Sequence, residues 1–194
     1  IICGLALFFF IWLPLLWIGL AGVVCTLLYP VLKFNALGDL DILLTFAFLP
    51  TLGTSYVATG AIDWNVLLIA LPVGLITDGI LHSNNTRDMF TDKRAGIRTM
   101  AMSLGNNVSA WLYGFEVIFP FIWIGVCSIT GLMPLTTLAI FLTLPIAIAC
   151  AQSMKFSLTR GAGVIADLDV RTANLQLLFS LLLTAAFIVG KFIA

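Results

Sequence analysis

Long apolar runs, parted by short polar breaks, limit what this chain can fold into more than any other feature of its sequence. Seven occur, at approximately residues 1–12, 14–29, 40–59, 64–82, 106–128, 133–153 and 171–193. A helix needs about 20 apolar residues to cross the hydrocarbon of a bilayer, and most of these runs approach that length. Inside lipid a helix also satisfies every backbone N–H and C=O within itself. A membrane barrel would show short alternating segments instead. The runs therefore predict an all-α, polytopic transmembrane helical bundle, with the lipid bilayer as its surroundings. Composition agrees: 61% of the 194 residues are hydrophobic and 9% are charged, against about 25% charged in soluble domains. Nine Lys and Arg balance nine Asp and Glu. No global basic field exists to draw in nucleic acid, which is excluded as a partner.

The few charges support the same division of the chain. Lys33 follows the second run, Arg87, Lys93, Arg94 and Arg98 follow the fourth, and Lys155, Arg160 and Arg171 surround the break after the sixth. The alternate breaks, near residues 13–14, 60–63 and 131–134, carry no Lys or Arg. Eight of the nine cations thus fall on one side, which the positive-inside bias makes cytoplasmic. Lys191, at the far end of the last run, can snorkel to the opposite interface. This pattern predicts an integral membrane protein, of the bacterial inner membrane, with its charged loops in the cytoplasm. The first run opens on Ile1, lacks a charged region before it and is too short to span. We therefore expect residues 1–194 to be a single domain, truncated at its N-terminus, whose first run is the tail of a longer helix. Cys3, Cys25, Cys127 and Cys150 lie in apolar stretches without CxxC spacing, and read as small buried hydrophobes.

Residues 82–99 form the most polar stretch. If the fourth helix continues through it, Asn84, Asp88 and Asp92 recur at i, i+4 and i+8, with Cβ atoms about 5–6 Å apart. Two carboxylates so placed repel unless a cation bridges them. A donor set made only of oxygen suits Mg2+, which typically takes one or two carboxylates and completes its shell with substrate phosphates and water. Arg87, Lys93, Arg94 and Arg98 could hold phosphate oxygens, Arg as a fork and Lys as a point charge. The plainer alternative is a solvated loop in which Asp88 pairs with a neighbouring cation. Tyr29 and Lys33 form a second candidate pair, a phenol and an ammonium one helical turn apart; on spacing alone, an interfacial aromatic and a positive-inside lysine explain them better. Asp39, after Gly38, is expected to cap the third helix. Asp78 lies within a span, four residues before His82, and is read as its partner or as a ligand. Glu116 is a lone intramembrane charge whose partner the sequence does not name. Asp167 and Asp169 are expected to complement the dipole of the last helix.

The segment from His82 to Gly105 closely resembles the second aspartate-rich motif of the UbiA superfamily of intramembrane aromatic prenyltransferases. Its Asn84-Asn85-x-Arg87-Asp88-x-x-x-Asp92-x-x-x-Gly96 form is most similar to the menaquinone branch, the 1,4-dihydroxy-2-naphthoate and vitamin K prenyltransferases. Tyr29 and Lys33 match the family's YxxxK motif, and Gly38-Asp39 resembles its Gly-Leu-Gly-Asp stretch. The resemblance implies a fold of nine transmembrane helices and a first motif, NDxxDxxxD, of which this chain has no counterpart. It would then run from the tail of the third helix to the ninth.

The resemblance also implies Mg2+-dependent transfer of a polyprenyl group from an allylic diphosphate to an aromatic small molecule. The first expectation for the acceptor is 1,4-dihydroxy-2-naphthoate, in menaquinone biosynthesis. Asp88 and Asp92 would ligate the metal and, with Tyr29 and Lys33, form the catalytic set. Asn84, Asn85, Arg87, Lys93 and Arg94 would line or support the diphosphate site. Alternatives are another acceptor (4-hydroxybenzoate, homogentisate or a tetrapyrrole) and a membrane transporter without enzymatic activity. Against the transporter stand the lack of a convincing internal repeat and the gathering of polar residues at one face rather than at mid-membrane.

Overall fold

In the computed structural model, which describes residues 13–193, the six apolar runs from residue 14 onward are helical and no described residue lies in a strand. In chain order the helices are α1 (Leu13–Phe34), α2 (Gly38–Thr59), α3 (Trp64–Arg87), α4 (Met89–Arg94), α5 (Met100–Leu104), α6 (Asn106–Ile129), α7 (Leu135–Arg160) and α8 (Ala162–Ile193). Six of these, all but the short α4 and α5, are long and apolar enough to cross a membrane. The expected first segment, residues 1–12, falls outside the described residues.

The helices overrun the apolar runs at their polar ends. α1 continues through Pro30 to Phe34, α3 reaches Arg87 rather than residue 82, and α7 reaches Arg160 rather than 153. Hydropathy measures the hydrocarbon crossed, whereas a helix goes on until its backbone finds other partners. Pro30 removes one N–H donor, a loss that a membrane helix tolerates. Where a helix does stop, the chemistry is local. Gly60, at φ 73°, ends α2 by donating its N–H to the Tyr56 carbonyl at 2.8 Å, the left-handed termination that glycine favours. Asp63 then caps the start of α3, its Oδ1 accepting from the Asn65 N–H at 2.9 Å.

Side chains of α3, α6, α7 and α8 form the core: Ile76, Tyr113, Phe121, Ile140, Met154 and Phe179 are almost wholly buried. α1 buries no described side chain, and Trp17, Leu27, Ile122 and Phe192 face outward, as lipid-facing residues do. Lipid is as apolar as leucine, so interhelical hydrogen bonds and close packing set the contacts. Tyr113 and Thr172 share one at 2.6 Å, and Trp123 donates to the Leu68 carbonyl at 2.9 Å.

α2 is irregular, with a π-helical stretch at Leu43–Phe48 that packs against α3 at Gly74. A Cβ there would stand 2.6 Å from both the Ala47 Cβ and the Leu43 Cδ1. Gly74→Ala is therefore expected to destabilise the fold by about 1–3 kcal/mol through overpacking, read as a lower thermal unfolding midpoint in detergent.

Contacts bring the charged helix ends to one side of the bundle. Gly38 packs against Lys33, the adjoining Asp39 comes within 4.0 Å of His82 on α3, and Arg87 reaches Ala166 and Asp169 at the start of α8. This is the grouping that the alternation of charges predicts.

Candidate active site

The helical register passes through the end of α3 into α4. The Asp88 N–H donates to the Asn84 carbonyl, the Asp92 N–H to the Asp88 carbonyl and the Ile97 N–H to the Asp92 carbonyl, each at 2.9 Å. Asp88 itself departs from helical torsion, at φ −94° and ψ 7°, without breaking the repeat. Asn84, Asp88 and Asp92 therefore follow one another by single turns, as their spacing predicts. Asn85 points into the bundle and is buried, whereas Asp88 and Asp92 are partly exposed.

Arg87 organises this end of the molecule. Its Nε donates to Asp88 Oδ1 at 2.9 Å, and its Nη2 donates to Asp88 Oδ2 at 3.0 Å and to Asn84 Oδ1 at 2.6 Å. Its Nη1 donates to the Ala166 carbonyl at 3.1 Å and pairs with Asp169 Oδ2 at 3.2 Å. A guanidinium has five N–H donors, and each has a protein partner here. The Arg87 guanidinium beside it holds the Asp88 carboxyl below the usual carboxylate range. The plainer reading of Asp88, pairing with a neighbouring cation, is thus what the structure shows. Pairing keeps the carboxylate ionised, with lone pairs remaining for another ligand.

The remaining cations are dispersed. Lys93 and Arg98 line an open depression of about 740 Å³, together with Gly96, Ile97 and Ser103. Arg94 lies over the Phe90 ring, 4.3 Å from its centroid, a cation–π contact. Tyr29 lines a separate cleft of about 430 Å³ with Asp41, Ile42 and Phe46, between α1 and α2. Among the described residues, no hydrogen bond or ion pair joins Tyr29 or Lys33 to Asp88 or Asp92.

Two local expectations are overturned. Asp39 does not cap α2: Leu37 occupies that position and no side chain caps it. Asp39 turns inward instead, is 3% exposed, and brings Oδ1 to 4.0 Å from His82 Nδ1. Nor does His82 pair with Asp78. Its Nδ1 meets Glu116 Oε1 at 3.0 Å, and its Nε2 meets Ser109 Oγ at 2.7 Å. The ring reaches across to α6, because that is where α3 is packed. Ser109 in turn contacts Thr86 Oγ1 at 2.8 Å. Thr86, Ser109 and the role of Glu116 are invisible to spacing arguments; the only signal is that polar residues interrupt apolar spans. Asp169 lies in the first turn of the long part of α8, as its dipole role predicts, and also pairs with Arg87.

The resemblance implies Mg2+, and the donor chemistry fits in part. Asp88 and Asp92 supply oxygen one turn apart, enough when substrate phosphates complete the shell. Among the described residues, no group of three or more His, Cys, Asp or Glu is placed to hold a metal ion.

A sequence profile of the UbiA prenyltransferase family matches residues 1–163. The chain belongs to the UbiA prenyltransferase family. Animal proteins named UbiA prenyltransferase domain-containing protein 1 resemble it along most of its length. Those of Mus musculus and Homo sapiens are 37% and 35% identical over 153 residues, which is 77% of this chain and 42% of theirs. The Drosophila melanogaster homolog is 43% identical over 110 residues, 55% of this chain and 31% of its own. This UbiA chain therefore spans less than half the length of these relatives. Their names specify neither an acceptor nor a metal, and their animal origin gives no support to the expected bacterial membrane.

Proposed function

We propose that the protein containing this chain transfers a polyprenyl group from an allylic diphosphate to an aromatic acceptor, 1,4-dihydroxy-2-naphthoate first among the candidates. The observation that carries this is the Asn84–Asp88–Asp92 stack, at the polar end of a UbiA bundle where Arg87 holds the Asp88 carboxylate. Asp88 and Asp92 would hold Mg2+. When bound, the ion supplies electrostatic neutralisation of the charge that develops on the departing diphosphate. Arg87 fixes the Asp88 carboxylate, with Asn84 as its second anchor and Asn85 packed behind. Lys33, Lys93 and Arg94 bring cationic charge to the same side of the membrane, where Tyr29 offers a phenol O–H. Allylic cations are consumed by water, so a setting within membrane-spanning helices serves the chemistry by keeping it dry. With a naphthoate acceptor, loss of the ring carboxylate accompanies transfer. We place the protein in a cellular membrane with the charged loops on the cytoplasmic side.

The test is a transfer assay on the full-length protein with labelled prenyl diphosphate and a titration of Mg2+. Dihydroxynaphthoate, 4-hydroxybenzoate, homogentisate and a tetrapyrrole are compared side by side. Metal-dependent labelling of the naphthoate above the others is the expected result. Labelling of a different ring would reassign the acceptor, and no labelling of any would remove the enzymatic reading.

A further inference from the structure

Prenyl transfer, as proposed, leaves one group of residues unused: the buried polar chain between α2, α3 and α6. It runs from Glu116 Oε1 to His82 Nδ1 (3.0 Å), from His82 Nε2 to Ser109 Oγ (2.7 Å), and from Ser109 Oγ to Thr86 Oγ1 (2.8 Å). Asp39 Oδ1 approaches His82 Nδ1 from α2 at 4.0 Å. Asp78 is also buried on α3, four residues before His82. The ionisable members are nearly sealed: His82 is 0% exposed, Glu116 2%, Asp39 3% and Asp78 7%. Even so, Asp39 Oδ1, Asp78 Oδ1 and Glu116 Oε2 have no hydrogen-bond partner. Tyr113 of α6 lies edge-on to the His82 ring, but its hydroxyl is taken by Thr172 of α8. Among the described residues, no Lys or Arg lies within ion-pair distance of Asp39, Asp78 or Glu116.

Two carboxyl groups thus face one imidazole, and a third, Asp78, is buried one turn away on the same helix as the histidine. At most one of them has a cation to compensate it, and an uncompensated charge there costs several kcal/mol. Packing alone does not account for this, because apolar side chains would fill the space without stranded oxygens. What the arrangement does well is hold and pass a proton. Imidazole has a donor end and an acceptor end, and hydroxyls relay between them. The chain also adjoins both parts of the proposed site. Asp39 follows Gly38, which packs on Lys33, and Thr86 precedes Arg87 and Asp88.

We propose that the Glu116–His82–Asp39 cluster is a proton store that takes the hydroxyl proton of the aromatic acceptor while its ring is alkylated. This rests on the prenyl-transfer reading. As the bond from carbon to diphosphate oxygen breaks, its electron pair leaves with the diphosphate. A ring π pair forms the new C–C bond, the O–H pair becomes a ring C=O, and the proton passes to a carboxylate of the cluster. The alkylated carbon then loses its other substituent, either CO2 from a carboxylate or H+. The electron pair so released restores the aromatic ring, and the cluster returns its proton to the oxygen. A proton that must come back is well kept in a pocket closed to water.

The test uses the full-length protein in lipid nanodiscs with its active acceptor and that acceptor's O-methyl ether. Glu116→Gln keeps the shape but not the basicity, and Ser109→Ala cuts the relay without removing an ionisable group. Glu116→Gln is expected to lower kcat about 100-fold and Ser109→Ala about tenfold, with KM for prenyl diphosphate unchanged. The wild-type kcat falls at low pH, where the store is already protonated, and this limb is lost in Glu116→Gln. On the O-methyl ether, which has no proton to give, wild type and variants are equally slow. Wild-type rates and pH profile in both variants would overturn the store, as would equal slowing on both acceptors, which marks a structural role. If Glu116→Gln fails to fold, Ser109→Ala on the two acceptors decides. Absence of transfer by the wild type would overturn the prenyl-transfer reading and the store with it.

Discussion

Replacing Asp88 or Asp92 by alanine is expected to lower prenyl transfer by about 1000-fold, the scale at which loss of one preorganised electrostatic group is felt. On the proposed reading, each substitution leaves one carboxylate where two would hold the cation, so added Mg2+ is expected not to restore full turnover. The pair also separates function from stability. Asp92 forms no ion pair within 4.0 Å among the described residues, and like charges one turn apart repel. Asp92→Ala should therefore keep or slightly raise the unfolding midpoint while losing activity. Asp88→Ala removes a carboxylate that Arg87 holds below its usual pKa. A depressed folded-state pKa contributes stability that is present above the unfolded value, near 3.9 for Asp, and lost as pH falls through the folded value. At neutral pH, Asp88→Ala is thus less stable than wild type, and the difference closes in acid. Paired activity and melting curves at neutral and acid pH check both statements. Transfer that survives in both variants would sink the site.

What the sequence makes legible follows the range of the interactions. The spans are readable because apolar runs and alternating cations both register the bilayer. The Asn84–Asp88–Asp92 stack is readable because it depends only on a helix continuing for two turns. The tie of Arg87 to α8 is not legible in the sequence, because Ala166 and Asp169 lie far along the chain, the first 79 residues away. The His82–Glu116 contact spans 34 residues, which no helical period encodes, so the nearer Asp78 is the natural guess. Asp39 misleads for a related reason. An aspartate beside a glycine at a helix start has the composition of a cap, yet α2 begins two residues earlier than such a cap requires, with Leu37 in the cap position, and turns Asp39 toward α3. Helix ends drift for want of any local signal where hydrocarbon gives way to the interface.

Arg87→Ala is expected to lose both turnover and stability, and the split between them identifies what the guanidinium does. Its removal leaves Asp88 and Asp169 without their shared cation, and Asn84 Oδ1 and the Ala166 carbonyl without donors. Hydrogen bonds to charged groups contribute about 1.5–3 kcal/mol each when well shielded. These side chains are 22–42% exposed, so solvent screening cuts that sharply, to about 1–3 kcal/mol for the network. Turnover should fall more, by a few hundred-fold. A displacement of about 1 Å in a positioned group can cost 100-fold, and the local positive charge is lost as well. Arg87→Lys restores the charge but not the planar fork that spans Asp88, Asn84 and α8. It should regain much of the stability and little of the turnover. If Arg87 works by aligning Asp88, the KM for prenyl diphosphate stays near wild type while kcat and the apparent affinity for Mg2+ fall together. A guanidinium that instead gripped the diphosphate directly would raise that KM in both variants, and would have to release Asp88 or Asp169 to do so.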